Sequence, residues 1–144
     1  MEKWIPLTLV ICGLVAITIG ASILFWPAQF HALNDIEVGS DPNSLSEARA
    51  PGGALALFGL FMFCGAFVHS LARPALLLAG AVYLAYGSAR LLSVVLDGVP
   101  ATGLLVATAI ELGLGGVALA LFVRSVGPHV GEWKGCGGSF CTST

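Results

Sequence analysis

The sequence predicts an all-α fold, a bundle of four transmembrane helices, and three observations carry that reading. Hydrophobic residues make up 57% of the chain and charged residues 10%, against about 25% charged in a soluble domain whose surface water must solvate. Four apolar runs follow one another, each near the roughly 20 residues that cross a bilayer core as a helix. None alternates apolar and polar residues as membrane-barrel strands do. Hydrocarbon offers a backbone amide no water, so each run must close its own hydrogen bonds as a helix. The helices are expected at about 5–25, 45–68, 74–96 and 101–123 of the 144 residues, forming one domain over 1–124. A Gly- and Ser-rich tail, 125–144, follows. The net charge of -2 gives no footing for a nucleic-acid partner.

The first helix carries no charge from Ile5 to Phe25. It is expected to be retained rather than cleaved as a signal peptide. Its only preceding lysine, Lys3, is offset by Glu2, its apolar run is too long, and no A-x-A site closes it. Trp4 and Trp26 flank it, as amphipathic rings flank a membrane span. The second helix opens on Ser44-Leu45-Ser46-Glu47, which matches a capping box with Ser44 as N-cap. Pro51 is then expected in its first turns, where a missing amide costs least. Pro74 marks the start of the third helix, Asp97-Gly98 its end and Pro100 the approach to the fourth. Gly13, Ala16 and Gly20 share one face of the first helix, Gly52 and Ala56 one of the second, and Gly80 and Gly87 one of the third. Gly115 with Leu119 repeats the pattern less clearly on the fourth. Small residues let helices approach closely where lipid supplies no hydrophobic drive, so the spacing points to a compact bundle rather than a glycine-lined pore.

Four helices place both termini on one side, with Lys3, Arg73, Arg124 and Lys134. The other side holds Asp35, Glu37, Asp41 and Asp97 and no lysine or arginine. The positive-inside rule then sets both termini in the cytoplasm of a multi-pass protein of the bacterial inner membrane.

Arg90 and Glu111 lie inside apolar runs, where a charge costs about 2.5–3.5 kcal/mol on insertion scales and is expected to face a partner in the bundle. Arg90 is about 10 Å along its helix from Asp97, and Glu111 about 16 Å from Pro100, so both fall in the same half of an antiparallel hairpin. The second helix enters that half with Glu47 and Arg49. Arg49, near a helix N-terminus, is expected to need a carboxylate. One polar cluster is therefore expected: Glu47, Arg49, Tyr86, Arg90, Asp97 and Glu111. It reads either as an ion-pair network that fixes helix register or as a site for a polar or anionic ligand.

The segments LSEARAPGG, Tyr83-Leu84-Ala85-Tyr86-Gly87, Arg90-Leu91-Leu92-Ser93 through Asp97-Gly98-Val99-Pro100, and Ile110-Glu111-Leu112 resemble a bacterial family of small four-helix integral membrane proteins filed as a domain of unknown function. The resemblance covers about Pro6 to Arg124. It implies the four-helix architecture and no activity. The fold is also distantly similar to small DoxX-like membrane proteins, some of which accompany oxidoreductases, an analogy of fold and not of site.

Cys12 and Cys64 read as small packing residues. Cys136 and Cys141, spaced C-x4-C in the tail, lack the usual spacing of a zinc site, so no metal is expected. His31, His69 and His129 lie outside the central spans, which disfavours a bis-histidine haem, and no phosphate loop or dinucleotide fingerprint is present, so no cofactor is expected. The expected function is a non-catalytic accessory or scaffold subunit of a larger membrane complex. Its partners are expected to be membrane lipids and other membrane subunits, with Gly131 to Thr144 as a contact. The alternatives are a small binding or transport protein built on the Arg/Glu cluster, or a membrane partner of a quinone or thiol oxidoreductase. The charge asymmetry gives a first prediction. A C-terminal reporter active only after export should stay silent, and strong reporter activity would reverse the topology.

Overall fold

The computed structural model describes residues 3–126. Five helices follow in order: α1 (Trp4–Phe25), the short α2 (Pro27–Ala32), α3 (Pro42–Gly65), α4 (His69–Asp97) and α5 (Thr102–Val126). α1, α3, α4 and α5 are long and apolar enough to cross a membrane. No strand occurs among the described residues. The architecture is the all-α four-helix bundle, with one additional short helix. The expectations for Gly131 to Thr144, Cys136 and Cys141 lie outside the described residues.

α1 and α3 run antiparallel with their backbones in contact. A Cβ at Gly13 would lie 2.8 Å from the Phe63 amide nitrogen and 2.9 Å from the Gly59 carbonyl. A Cβ at Gly20 would strike the Ala56 amide nitrogen and lie 2.7 Å from the Gly52 carbonyl. The obstructing atoms are main chain and cannot rotate away. Gly59 completes this seam, opposite Ala16 and Ile17. α4 and α5 pair differently, with leucines filling glycine notches. Leu119 sits on Gly80, Leu112 on Gly87 and Leu84 on Gly115. Leu119 is thus the knob for Gly80 and not a small companion of Gly115.

The two pairs join through the three-residue link between Gly65 and His69, where Gly65 lies against Ala75. The buried core gathers at this end. Leu9 and Cys12 of α1, Met62 of α3, Leu76 and Ala79 of α4 and Ala118 of α5 are fully enclosed. Tyr83 marks its upper limit, its hydroxyl donating to the Cys12 carbonyl at 2.7 Å.

Helix boundaries depart from the sequence reading where proline and caps were misjudged. α3 begins at Pro42, and its N-cap is Asp41, not Ser44. Asp41 Oδ1 accepts from the amides of Asn43 at 3.0 Å and Ser44 at 3.1 Å, and Ser44 Oγ donates to Asp41 Oδ2. Asp is as good an N-cap as Ser, and Pro42 behind it supplies the preset φ favoured at the first helical position. These bonds, the Ser44 hydroxyl first, hold the Asp41 carboxyl below the usual carboxylate range. With α3 starting earlier, Pro51 lies well inside the helix and withholds the amide that the Glu47 carbonyl would accept. α3 also ends at Gly65, short of 68, and α4 begins at His69, placing Pro74 inside it. α2 escaped notice because six residues are too few for a periodic pattern.

The glycine seam yields a second prediction. Gly20→Val should lower stability by about 1–3 kcal/mol, the range for overpacking, and more if the α1 and α3 backbones must part. Gly116, whose Cβ would meet nothing within 4 Å, should tolerate Ala and gain up to about 1 kcal/mol from helix propensity. Thermal unfolding of both variants in detergent checks this. Equal melting temperatures would mean that the seam does not limit stability.

Candidate functional site

Gly87 brings α4 close to Leu112 of α5, and one turn beyond it Arg90 meets Glu111. Arg90 Nε donates to both carboxylate oxygens, at 3.1 Å to Oε2 and 3.3 Å to Oε1. This is the single ion pair among the described residues. The Glu111 side chain is 14% exposed and that of Arg90 33%. Both oxygens are met from Nε alone, so the two terminal amino groups of the guanidinium have no hydrogen-bond partner among the described residues.

The pair stands in the wall of a cavity of about 580 Å³ at the end of the bundle carrying α2 and the α4–α5 turn. Most of the lining is apolar: Val15, Ile19 and Ile23 from α1, Leu55 from α3, Val82 from α4 and Leu104 from α5. The polar groups are few: Glu47, Tyr86, Arg90, Glu111, His31 and Asn34. Tyr83 also lines it, where the cavity meets the packed core.

α2 and the residues after it line the cavity at this end. Trp26 ends α1, and Pro27 starts α2 immediately. His31 Nδ1 lies 2.7 Å from the Pro27 carbonyl. A carbonyl only accepts, so His31 Nδ1 carries the proton in this contact. Asp35 takes the left-handed backbone conformation (φ 58°) and turns the chain after α2. Asn34 thereby reaches the start of α5, where Gly103 admits it. Any Cβ at Gly103 would collide with Asn34 Oδ1.

Of the six residues expected to converge, Glu47, Tyr86, Arg90 and Glu111 line this cavity and Arg49 and Asp97 do not. Arg49 finds no carboxylate. Its Nε donates to the Leu24 carbonyl at 3.2 Å, on a separate open groove. The last carbonyls of a helix lack amide partners and carry its negative end, so α1's C-terminus supplies what a carboxylate was expected to supply. Glu47, two residues from Arg49, emerges on another side of α3. Asp97 ends α4 in exposed position and accepts from Ser93 Oγ at 2.8 Å. Nearly two turns of helix separate it from Arg90, too far to join the pair. The sequence reading missed Phe30, His31 and Asn34 as wall residues. His31 four residues after Pro27 was the available signal.

An apolar chamber with donors on one wall and acceptors on others suits an amphiphilic molecule. Fold and cavity together define a small polytopic protein of membrane type. Residues 6–122 match the family model described as Domain of unknown function (DUF4345), and the chain belongs to that family. No curated protein and no solved structure matches it.

The ion pair yields a third prediction. Arg90→Leu and Glu111→Leu should each destabilise the bundle, by at most the roughly 3–5 kcal/mol seen when a fully buried pair is broken. The Arg90 side remains one-third exposed, which keeps the loss below that ceiling. The double change should recover much of the loss, because no orphaned charge remains. Strictly additive losses in a detergent melting series would show the two residues uncoupled.

Proposed function

We propose that this protein is a small membrane binding protein that holds an amphiphilic molecule in the cavity beside Arg90 and Glu111. The observation that carries the reading is an apolar space of about 580 Å³ bordered by a guanidinium whose terminal amino groups are unspent. Ligand pockets typically span about 300–1,000 Å³, largely apolar with a few convergent polar groups. A register-fixing role explains why Arg90 meets Glu111. It does not explain why the surrounding volume stays open, since the glycine contacts of α1 with α3 and of α4 with α5 already fix register.

Orientation belongs to the same proposal. Lys3, Arg73 and Arg124 stand at the end opposite α2, and Asp35, Glu37, Asp41 and Asp97 at the α2 end. The charge bias supports an inner-membrane protein with cytoplasmic termini, the cavity lying in the outer half of the bilayer. The contact expected of a scaffold subunit, Gly131 to Thr144, lies outside the described residues. The exposed apolar side chains of the long helices, such as Leu57, Val106 and Val117, are what contact with lipid requires in any case.

The test is to fill the space. Ala107 lines the cavity on α5, and Ala107→Trp should occupy it. Native mass spectrometry of the wild-type protein in mild detergent should show a bound molecule that solvent extraction releases. The folded Ala107→Trp variant should lack it. An empty wild-type cavity, with stoichiometric protein subunits co-purifying instead, would overturn binding in favour of the scaffold.

A further inference from the structure

We infer that the molecule held in the cavity is a zwitterionic amphiphile, an apolar chain whose head carries both an oxyanion and an ammonium group. The inference rests on the amphiphile reading above and adds the chemistry of the head. It follows from two groups of opposite sign that line one cavity without pairing to each other.

The first is Arg90. Glu111 engages only Nε, so the outer edge of the guanidinium retains its terminal N–H donors. That edge fits the oxygens of a phosphate or carboxylate, which guanidinium binds through parallel hydrogen bonds. The second is Glu47. It lines the same cavity from α3, is solvent-exposed at the cavity mouth, and makes no hydrogen bond or ion pair among the described residues. Pro51, one turn further along the same face and also lining the cavity, has no N–H for the Glu47 carbonyl. α3 therefore presents acceptors where α4 presents donors. Phe30 and Tyr86 add aromatic rings, a setting in which an ammonium is attracted both to π-faces and to the carboxylate.

Local pairing selects among heads. Arg90 and Glu111 engage each other through Nε, leaving the terminal guanidinium donors and the Glu47 carboxylate as the unpaired groups of the wall. A simple anion would meet Arg90 but leave Glu47 without a cation. A simple cation would meet Glu47 but leave the Arg90 donors without acceptors. A zwitterion satisfies both, while Ile19, Ile23 and Leu55 offer the chain an apolar bed. The same head chemistry occurs in a membrane lipid and in a soluble zwitterion without a chain. The apolar lining commits the proposal to the former.

The experiment compares four probes by native mass spectrometry titration of the whole protein in dodecyl maltoside: dodecylphosphocholine, dodecyl phosphate, dodecyltrimethylammonium and chain-free phosphocholine. Dodecylphosphocholine should bind about tenfold or more tighter than either chain whose head carries charge of one sign only, the effect of one additional ion-pair or cation–π contact made by its quaternary ammonium. Glu47→Gln should erase its advantage over dodecyl phosphate. Arg90→Lys, which keeps a cation for Glu111 and loses the planar fork, should erase its advantage over dodecyltrimethylammonium. Melting curves confirm that both variants are folded. Equal affinity for the three chains, all abolished by Ala107→Trp, would overturn the head assignment and leave the cavity reading standing. Binding of all three undisturbed by Ala107→Trp would overturn both. Phosphocholine binding as tightly as its dodecyl ester would overturn the lipid in favour of a soluble zwitterion.

Discussion

The close approach of α1 and α3 is the constraint on which the rest of the molecule depends. Gly13 and Gly20 on one helix and Gly52 and Gly59 on the other let backbone touch backbone along the seam. Leucine knobs seated in Gly80, Gly87 and Gly115 make a second unit of α4 and α5. The bundle is therefore two rigid pairs, and the space between them is set by how the pairs meet. At the α3–α4 link they are tied by three residues and by the contact of Gly65 with Ala75. Small core residues, Ala75, Ala79 and Ala118, close that end. Toward α2 the pairs stand apart around the cavity and are bridged where Asn34 meets Gly103.

Arg90 and Glu111 are intelligible within this frame. Hydrocarbon disfavours either charge alone, and each lowers the cost of the other. The pair forms between α4 and α5, inside one rigid unit, so it does not close the gap between the two units. It lies on the edge of that gap, one turn past the Gly87 notch that brings the helices near enough to meet. The charges thus satisfy each other while the guanidinium keeps capacity for a third partner.

The parts legible in the sequence were those governed by local chemistry summed over many residues. The number of spanning helices followed from hydropathy, the small-residue faces of α1 and α3 from glycine spacing, and the meeting of Arg90 with Glu111 from counting residues back from the turn. The parts that were not legible turn on competition between neighbours of similar chemistry. Asp41 and Ser44 are both good N-caps, and Pro42 decided between them. Arg49 had three carboxylates in reach by level and took the carbonyl end of α1 instead, because a helix terminus is a partner that carries no charged letter. Asp97 follows Arg90 on one face of α4, yet distance along the axis separates them. The cavity itself has no sequence signature, since its volume comes from the splay of two pairs and from α2, a helix too short to show a period.

That volume has an energetic meaning peculiar to a membrane. In water an apolar cavity forms within a core that the hydrophobic effect assembles regardless. Between helices in lipid, association relies on packing itself, so each unfilled contact is lost from the main term holding the bundle together. A sequence able to place Cys12, Ala75 and Ala79 at close quarters at one end had the means to do so at the other. It places Ile19, Ile23, Phe30 and Tyr86 there instead, around a space they do not fill. On the binding proposal, an occupant with an apolar body would restore the missing contacts, and its head would meet the free donors of Arg90.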